Sequence, residues 1–363
     1  MNAKNSIIEY YRRMVCIPIN KCTYKFKGTE AIAMDKWAKK MKEHVGDPAT
    51  MTTIKHAENI FCIGEHLRDV FFSTKDNSIA ETTSVAQSRY SSGGYLWERL
   101  VAYYLNYCLA NTRTVVFVGA TGFDVIKTAV TFNDMNSASE VDLLAITFPD
   151  RPEFKADLSV ELHNMYPDKT NTPEELKWIH GHQVKKEETR MDRLANYFLR
   201  LYYNEVGIHV IQCKTNWNDD IQAPMLWGLL YYLSRNNSQF PASSSINFGS
   251  GLFTLPRLQN FSYSFVTVPS QNNGEYETDP SKKKKKEEAF EKMFSEESLP
   301  VKRAKYIKGG YYWGLPKHNT IHPIGELINR NLSVGVNGHI VESIRDNIEA
   351  GRYATDYDYF IEI

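Results

Sequence analysis

Three short apolar runs constrain the fold of this chain more than any other feature of its sequence. They are Thr114 to Gly119, Glu140 to Phe148 and Ile208 to Lys214. Each has the length of a strand and is rich in Val, Ile or Leu, a composition typical of strands that are buried in a sheet. Between the second and third runs lies a long stretch with a mainly helical pattern, most clearly from Val184 to Tyr203. The runs therefore predict a sheet with a helical insertion.

Further helices and strands are predicted around these runs from the spacing of apolar residues. The predicted helices are Tyr95 to Leu109, Ile221 to Leu233 and Ile340 to Ala350, and the predicted strands are Ile246 to Leu255 and Phe261 to Val268. Strands that alternate with helical segments in this order indicate an α/β or α+β core wrapped in helical additions.

The two ends of the chain carry weaker signals. Ala31 to His44 and Ile54 to Phe72 mix apolar with polar residues and predict helices. Pro269 to Lys286 is polar, closes with five consecutive lysines and predicts a mobile loop, followed by a short helix from Glu287 to Phe294. We divide the chain into an N-terminal helical region (1–80), a core (81–270) with a helical insertion (150–205), and a C-terminal region (271–363).

Composition excludes several classes of protein. The 43 basic and 43 acidic residues cancel, which argues against a protein that coats nucleic acid by bulk charge. No apolar stretch approaches the roughly 18 residues of a membrane span, and the N-terminus lacks the apolar segment of a signal peptide. The five cysteines form no CxxC pair, so neither a zinc site nor a disulfide framework is indicated. We therefore expect a cytoplasmic protein.

Polar side chains interrupt two of the predicted strands. Because side chains alternate faces along a strand, Asp142 shares a face with Leu144, and Gln212 shares one with Lys214. A carboxylate in a buried strand is costly unless a partner such as a metal compensates it. If the two strands pair, the carboxylate, the amide, the backbone carbonyl of Cys213 and the ammonium converge at one end of the sheet. Oxygen ligands suit Mg²⁺, and the ammonium can orient or deprotonate a water or offset phosphate charge, which predicts phosphodiester hydrolysis.

A strand with Asp142, followed after an insertion by a strand with Gln212 and Lys214, resembles the motif of the PD-(D/E)XK nuclease superfamily. In that family a preceding helix often supplies a glutamate, and Glu98 in GGYLWERLVAYYL matches this position. A Glu-x-Asp pattern, as in Glu140 and Asp142, also occurs in the family. The chain is most similar to the type II restriction endonucleases of this superfamily.

The likeness covers roughly Tyr95 to Val268 and implies a restriction-endonuclease-like core, a mixed central sheet flanked by helices. It implies catalysis with Mg²⁺, or Mn²⁺ in its place, bound by Asp142, Gln212, the Cys213 carbonyl, Glu98 and Glu140. Two positions depart from the family pattern, because Gln212 stands where the motif has Asp or Glu, and Val141 where it has Pro. Glu98 or Glu140 could restore the missing charge, or the site could be inactive.

The resemblance also implies double-stranded DNA as substrate and a homodimer with one active site for each strand. Polar side chains near the site are candidates for DNA contacts, or for ordinary loop and capping roles, and they are Gln87, Ser88, Arg89, Thr215, Asn216 and Asn218. Three alternatives stay open. They are a repair or defence nuclease that reads DNA structure or modification, a DNA-binding protein with a degenerate site, and a structural protein whose Asp142 and Lys214 form a buried pair.

Overall fold

The central sheet of this protein has five strands and mixes antiparallel with parallel pairing. The structure, a computed structural model, describes residues 4–21, 23–24, 32–33, 54–73, 97–119, 122–130, 141–180, 187–214, 249–267, 274, 277–298, 301–302, 312–314, 318, 321–336 and 338–360. Its strands are β1 (Thr23–Tyr24), β2 (Ile32–Ala33), β3 (Thr114–Val118), β4 (Leu143–Thr147), β5 (Gly207–Lys214), β6 (Gly249–Ser250), β7 (Phe253–Thr254), β8 (Asn260–Thr267) and β9 (Tyr312–Trp313). The central order is β3-β4-β5-β8-β9, while β1 pairs with β2 and β6 with β7.

The pairing register decides which side chains meet. β4 runs antiparallel to β5, so that the start of β4 lies beside the end of β5, with Leu143 opposite Ile211. β8 runs parallel to β5 and places Phe265 beside Gln212. Asp142, which directly precedes β4, is therefore brought to the end of β5 that carries Gln212 and Lys214.

Helices cover both faces of this sheet. They are α1 (Ile7–Lys21), α2 (Ile54–Ser73), α3 (97–108), α4 (Asp124–Ala129), α5 (Pro152–Lys155), α6 (Leu158–Met165), α7 (Glu187–Leu201), α8 (Pro280–Lys292), α9 (Glu326–Asn331), α10 (Ile340–Glu349) and α11 (Arg352–Thr355). Short 3₁₀ turns lie at Glu174–His180, Tyr203–Glu205, Leu255–Arg257, Ser333–Gly335 and Asp358–Phe360. Among the helices that the structure describes, none is long and apolar enough to cross a membrane.

Alternation along the strands builds two apolar layers. Ile211 and Cys213 face one layer, which they share with buried residues of α2, α3, α9, α10 and α11. Leu144 and Val210 face the other layer, which they share with α4, α5, α6 and α7. Strands that are buried on both faces have continuous apolar sequences, which is why the three runs are so distinctive. The fold is thus mixed α/β.

A buried polar network ties the parallel half of the sheet together. The two ring nitrogens of His209 on β5 hydrogen-bond the hydroxyls of Ser262 and Ser264 on β8. Trp313 Nε1 and Asn331 Nδ2 both donate to the Ser264 hydroxyl, at 2.9 and 2.8 Å. Burial lowers the pKa of His209 to about 3, so the imidazole is neutral at physiological pH. The network thereby helps to fix β5, which carries the candidate site, against β8 and β9.

Most of the predicted elements are found where the sequence places them. Of the predicted strands, 114–119, 140–148, 208–214 and 261–268 correspond to β3, β4, β5 and β8. Of the predicted helices, 54–72, 95–109, 184–203 and 340–350 correspond to α2, α3, α7 and α10. The predicted helix from Ile221 to Leu233 lies outside the described residues.

Three predictions about local structure are wrong in whole or in part. The lysine run Lys282–Lys286 lies within the helix α8 rather than in a loop, because Asp279 caps the helix and Pro280 occupies its first turn. Ile32–Ala33 is a strand rather than part of a helix, and residues 34–44 are outside the described part. The predicted strand from Ile246 to Leu255 contains two short antiparallel strands, β6 and β7.

Candidate active site

Asp142 lies at the end of the central sheet where β5 finishes. Its Oδ2 atom accepts hydrogen bonds from Gln212 Nε2, at 2.9 Å, and from the backbone N–H of Cys213, at 2.7 Å. Its own carbonyl accepts a 2.8 Å hydrogen bond from the backbone N–H of Gly119 after β3. Residues of β5 thus fix the side chain of Asp142, and Gly119, which follows β3, fixes its backbone. Within the described part of the chain, both hydrogen bonds to this carboxylate use Oδ2, which leaves Oδ1 for a ligand.

Gln212 presents a buried polar oxygen at this site. The residue is 2% exposed, with the buried Phe265 beside it on β8. Its Nε2 is engaged with Asp142, whereas its Oε1 is buried and has no hydrogen-bond partner among the described residues. Leaving such an oxygen unpaired costs about 1–3 kcal/mol, so an unpaired one next to a carboxylate indicates a place where a ligand supplies the missing interaction.

Glu98 and Lys214 approach the same point from a helix and from a strand. Lys214 is the last residue of β5 and is partly buried, on the same strand face as Gln212. Glu98, also partly buried, follows Trp97, which is fully buried and packs edge-to-face on Phe71 of α2 with ring centroids 5.6 Å apart. This packing fixes the beginning of the described part of α3 and with it the position of Glu98.

The charges at the site influence one another. The pKa of Glu98 is raised to about 7, first because burial disfavours the charged form and then because Asp142 carries a negative charge nearby. The positive charges of Arg99 and then of Lys214 oppose this rise. Burial also raises the pKa of Asp142, against the effects of Lys214 and of the two hydrogen bonds from β5. Both carboxylates are therefore destabilised as anions by the protein alone, a condition that a bound cation would relieve.

Two neighbouring residues complete the surroundings. The Cys213 side chain is buried in the core on the opposite face, as the alternation of β5 predicts. Its N–H points towards Asp142, and in an extended strand the carbonyl of a residue points to the same side as its N–H. Tyr263 on β8 is fully buried, and its pKa is raised well above the usual value by burial and then by the charge of Asp142. Sequence reasoning missed Tyr263, because only the pairing of β8 with β5 brings it to this face.

The structure brings together Asp142, Gln212, Lys214 and Glu98, the four residues that the sequence nominates for catalysis. The remaining candidates lie outside the described residues, and they are Glu140, Gln87, Ser88, Arg89, Thr215, Asn216 and Asn218. No protein-family model, no curated protein and no solved structure matches this chain. The chemistry of the site is therefore inferred from its own side chains.

A hard divalent cation fits these side chains. Within the described ranges, no three His, Cys, Asp or Glu side chains cluster in a way that could hold a metal ion. Mg²⁺, however, keeps several waters and commonly needs only one or two protein carboxylates. Asp142 and Glu98 can supply these, and the amide oxygen of Gln212, which has no partner in the described part of the chain, is a third oxygen donor beside Asp142. The donor set is all oxygen, which suits Mg²⁺ or Mn²⁺ better than zinc.

Proposed function

We propose that this protein is a Mg²⁺-dependent endonuclease of double-stranded DNA with a restriction-endonuclease-like core, acting at a specific site as a type II restriction enzyme does. The observation that carries the proposal is the Asp142 carboxylate, held by Gln212 and Cys213 beside a buried amide oxygen that no described residue pairs. Lys214 ends β5, the strand that carries Gln212 and Cys213, and it matches the lysine of the PD-(D/E)XK motif.

A purely structural role explains this arrangement less well. Both hydrogen bonds to the Asp142 carboxylate come from neutral donors, and the charge of Lys214 offsets only part of the cost of burying the anion. Burial raises its pKa, which means that the site holds the anion at a cost. A carboxylate that stabilises the fold through an ion pair is expected to have a lowered pKa. A carboxylate whose pKa is raised within a polar cluster is typical of functional sites.

In the proposed reaction, some of these residues would bind the metal and one would act on the water and the phosphate. Asp142, Glu98 and Gln212 would hold Mg²⁺, together with the carbonyl of Cys213. A bound Mg²⁺ supplies Lewis-acid polarisation of the phosphate. Lys214 orients or deprotonates the attacking water, or offsets the negative charge that develops on the phosphate. Tyr263 and Phe265 are buried on β8 next to the strand that carries Gln212, and the charge of Asp142 reaches Tyr263.

The replacement of the usual acidic residue by Gln212 favours a second candidate function. With one carboxylate fewer, the site could bind DNA without cutting it, as a catalytically degenerate DNA-binding protein. Glu98 argues against a degenerate site. The charge of Asp142 acts on Glu98, so a second carboxylate already lies near the site. We therefore favour the active nuclease.

The direct test is digestion of a long unmethylated phage-type DNA with Mg²⁺ and with EDTA. We expect discrete fragments with Mg²⁺ and none with EDTA. Lys214→Ala is expected to lower the cleavage rate by at least about 100-fold, because it removes the charge at the end of β5. Lys169→Ala, at an exposed lysine after α6, is the matched control and should cut like the wild type.

The products of this digestion distinguish the alternatives. A smear with the same dependence on Mg²⁺ and Lys214 would favour a nuclease directed by DNA structure or modification. Binding without cutting, equal in EDTA and in Mg²⁺, would favour the degenerate DNA-binding protein. Equal cutting by Lys214→Ala and the wild type would overturn the assignment of Lys214.

Gln212→Glu tests the role of the unpartnered amide oxygen. A second carboxylate beside Asp142 should lower the melting temperature without metal, because the hydrogen bond from Nε2 is lost and like charges meet. We expect Mg²⁺ to bind the variant at least about tenfold more tightly, which corresponds to roughly 1.4 kcal/mol of added stabilisation at saturating metal. Thermal melts across a Mg²⁺ series measure both effects.

Gln212→Met is the control for this experiment. It keeps a side chain of similar length but removes the oxygen, so its melting temperature should respond to Mg²⁺ less than that of the wild type. Identical responses of all three proteins to Mg²⁺ would show that Gln212 does not face the metal.

A further inference from the structure

The helix α8 carries a dense positive surface that the proposed chemistry does not use. Its lysines 282–285 are exposed, and Lys286 is partly so. The buried residue of the helix is Phe290, near its C-terminal end. None of the residues 281–289 of this helix is buried. The part of α8 that carries all five lysines therefore lies on the surface. We call Lys282–Lys286 the lysine segment.

Electrostatics within α8 disfavour this segment. Lysines three and four positions apart are neighbours on a helix surface and repel each other. They also lie towards the N-terminal end, where the helix dipole is positive. Surface pairs offset part of the charge, since Lys286 lies 2.7 Å from Glu277 and Lys283 lies 4.0 Å from Glu287. Among the described residues, no ion pair within 4.0 Å involves Lys282, Lys284 or Lys285, although the charge of Glu277 also attracts Lys282. The exposed lysines thus carry the surplus of positive charge that a polyanionic partner would require.

A chain of contacts leads from the anchor of α8 to the candidate active site. The guanidinium of Arg68 on α2 stacks over the Phe290 ring, 5.2 Å from its centroid. One turn further along α2, Phe71 packs on Trp97, the residue before Glu98. Phe290 also belongs to the apolar layer on the sheet face of Val210. The anchor of α8 is therefore connected, through α2, to the residue that precedes Glu98.

We propose that the lysine segment binds the phosphate backbone of the DNA duplex whose scissile bond lies at Asp142. This inference rests on the proposed function and adds the surface that holds the substrate. Lysines contact phosphates without reading bases, so the segment contributes affinity and orientation rather than sequence specificity. A local basic surface of this kind is compatible with a chain whose net charge is zero.

An anionic membrane is the other surface that attracts lysines, and α8 is poorly suited to it. A helix that lies on a membrane needs an apolar face to insert beneath the headgroups. In α8 the residues 281–289 include no buried or large apolar side chain, and Phe290 is already packed in the core. Duplex DNA, which needs charge alone, fits better.

The test is the salt dependence of DNA binding by the protein in EDTA. Binding is measured by the fluorescence anisotropy of a short labelled duplex. The variant K282Q/K284Q/K285Q removes three charges and spares the two ion pairs, and Gln is a good helix former. Each lost phosphate contact should reduce the slope of log affinity against log salt by about 0.9, so we expect a reduction of about 1 to 3. Circular dichroism checks that the variant is folded.

The matched control is K127Q/K169Q/K177Q, which removes three exposed lysines elsewhere and should leave the slope unchanged. An unchanged slope in the lysine-segment variant, with DNA cleavage by the wild type intact, would overturn this inference alone. A reduced slope in a protein that never cuts DNA would support the inference and count against the proposed nuclease. Binding of wild type to anionic vesicles, with no affinity for the duplex, would overturn the choice of partner.

Discussion

Replacing Asp142 with Asn is expected to lower the rate of Mg²⁺-dependent DNA cleavage by about 100- to 1000-fold, because the site loses the charge that best holds the ion. Asn keeps an oxygen that can accept from Gln212 Nε2 and from the Cys213 N–H, so the local structure should survive. Single-turnover cleavage at saturating enzyme measures the chemical step and separates it from binding.

The same substitution should leave stability unchanged or raise it. Burial raises the pKa of Asp142 above its usual value. Since the folded-state pKa then lies above the unfolded one, the charged carboxylate costs stability once the pH exceeds both values. A neutral Asn removes that cost at neutral pH. Loss of cleavage together with an undiminished melting temperature is the result expected of a site that trades stability for function.

Asp346→Asn is the control for both measurements, because Asp346 is an exposed carboxylate on α10. It should cut DNA and melt like the wild type. If Asp142→Asn cuts at the wild-type rate, Asp142 is not a metal ligand in catalysis. If the variant instead melts well below the wild type, the carboxylate has a structural role.

The composition of the candidate site could be predicted because strands alternate faces. The period of two places Gln212 and Lys214 on one side of β5, and an antiparallel neighbour then brings Asp142 to the same end. Tyr263 and Phe265 could not be found in this way. They lie far along the chain, and their proximity depends on the parallel pairing of β8 with β5, which no local pattern specifies.

The lysine segment shows how local signals can compete. Five like charges after a polar stretch favour a loop, yet the structure has a helix there. The deciding signal is the preceding Asp279-Pro280-Ser281, since Asp279 accepts hydrogen bonds from the backbone N–H groups of Ser281 and Lys282. An N-cap aspartate followed by proline is a helix start that the sequence already contained.

The ion pair of Arg12 is expected to contribute strongly to the stability that α1 gives the fold. Arg12 and Glu9 are both buried and lie 3.1 Å apart, and the guanidinium also donates to the carbonyls of Thr112 and Thr114. These bonds join α1 to the start of β3, at the edge of the central sheet. Arg12→Met should therefore lower the free energy of unfolding by about 3–5 kcal/mol, because a buried carboxylate loses its cationic partner and two carbonyls lose the donor that Arg12 supplies.

Urea denaturation of Arg12→Met and Arg13→Met side by side tests this expectation. Arg13 is the next residue of α1, is only partly buried and donates to the carbonyl of Lys4, so its loss should cost about 1 kcal/mol or less. Adding Glu9→Gln to Arg12→Met removes the uncompensated charge and should recover part of the loss. Equal midpoints for the two single variants would mean that the ion pair of Arg12 contributes no more to stability than the bond of Arg13. A large difference with partial recovery would mean that a buried charge pair fixes α1 against the edge strand of the sheet that carries the candidate site.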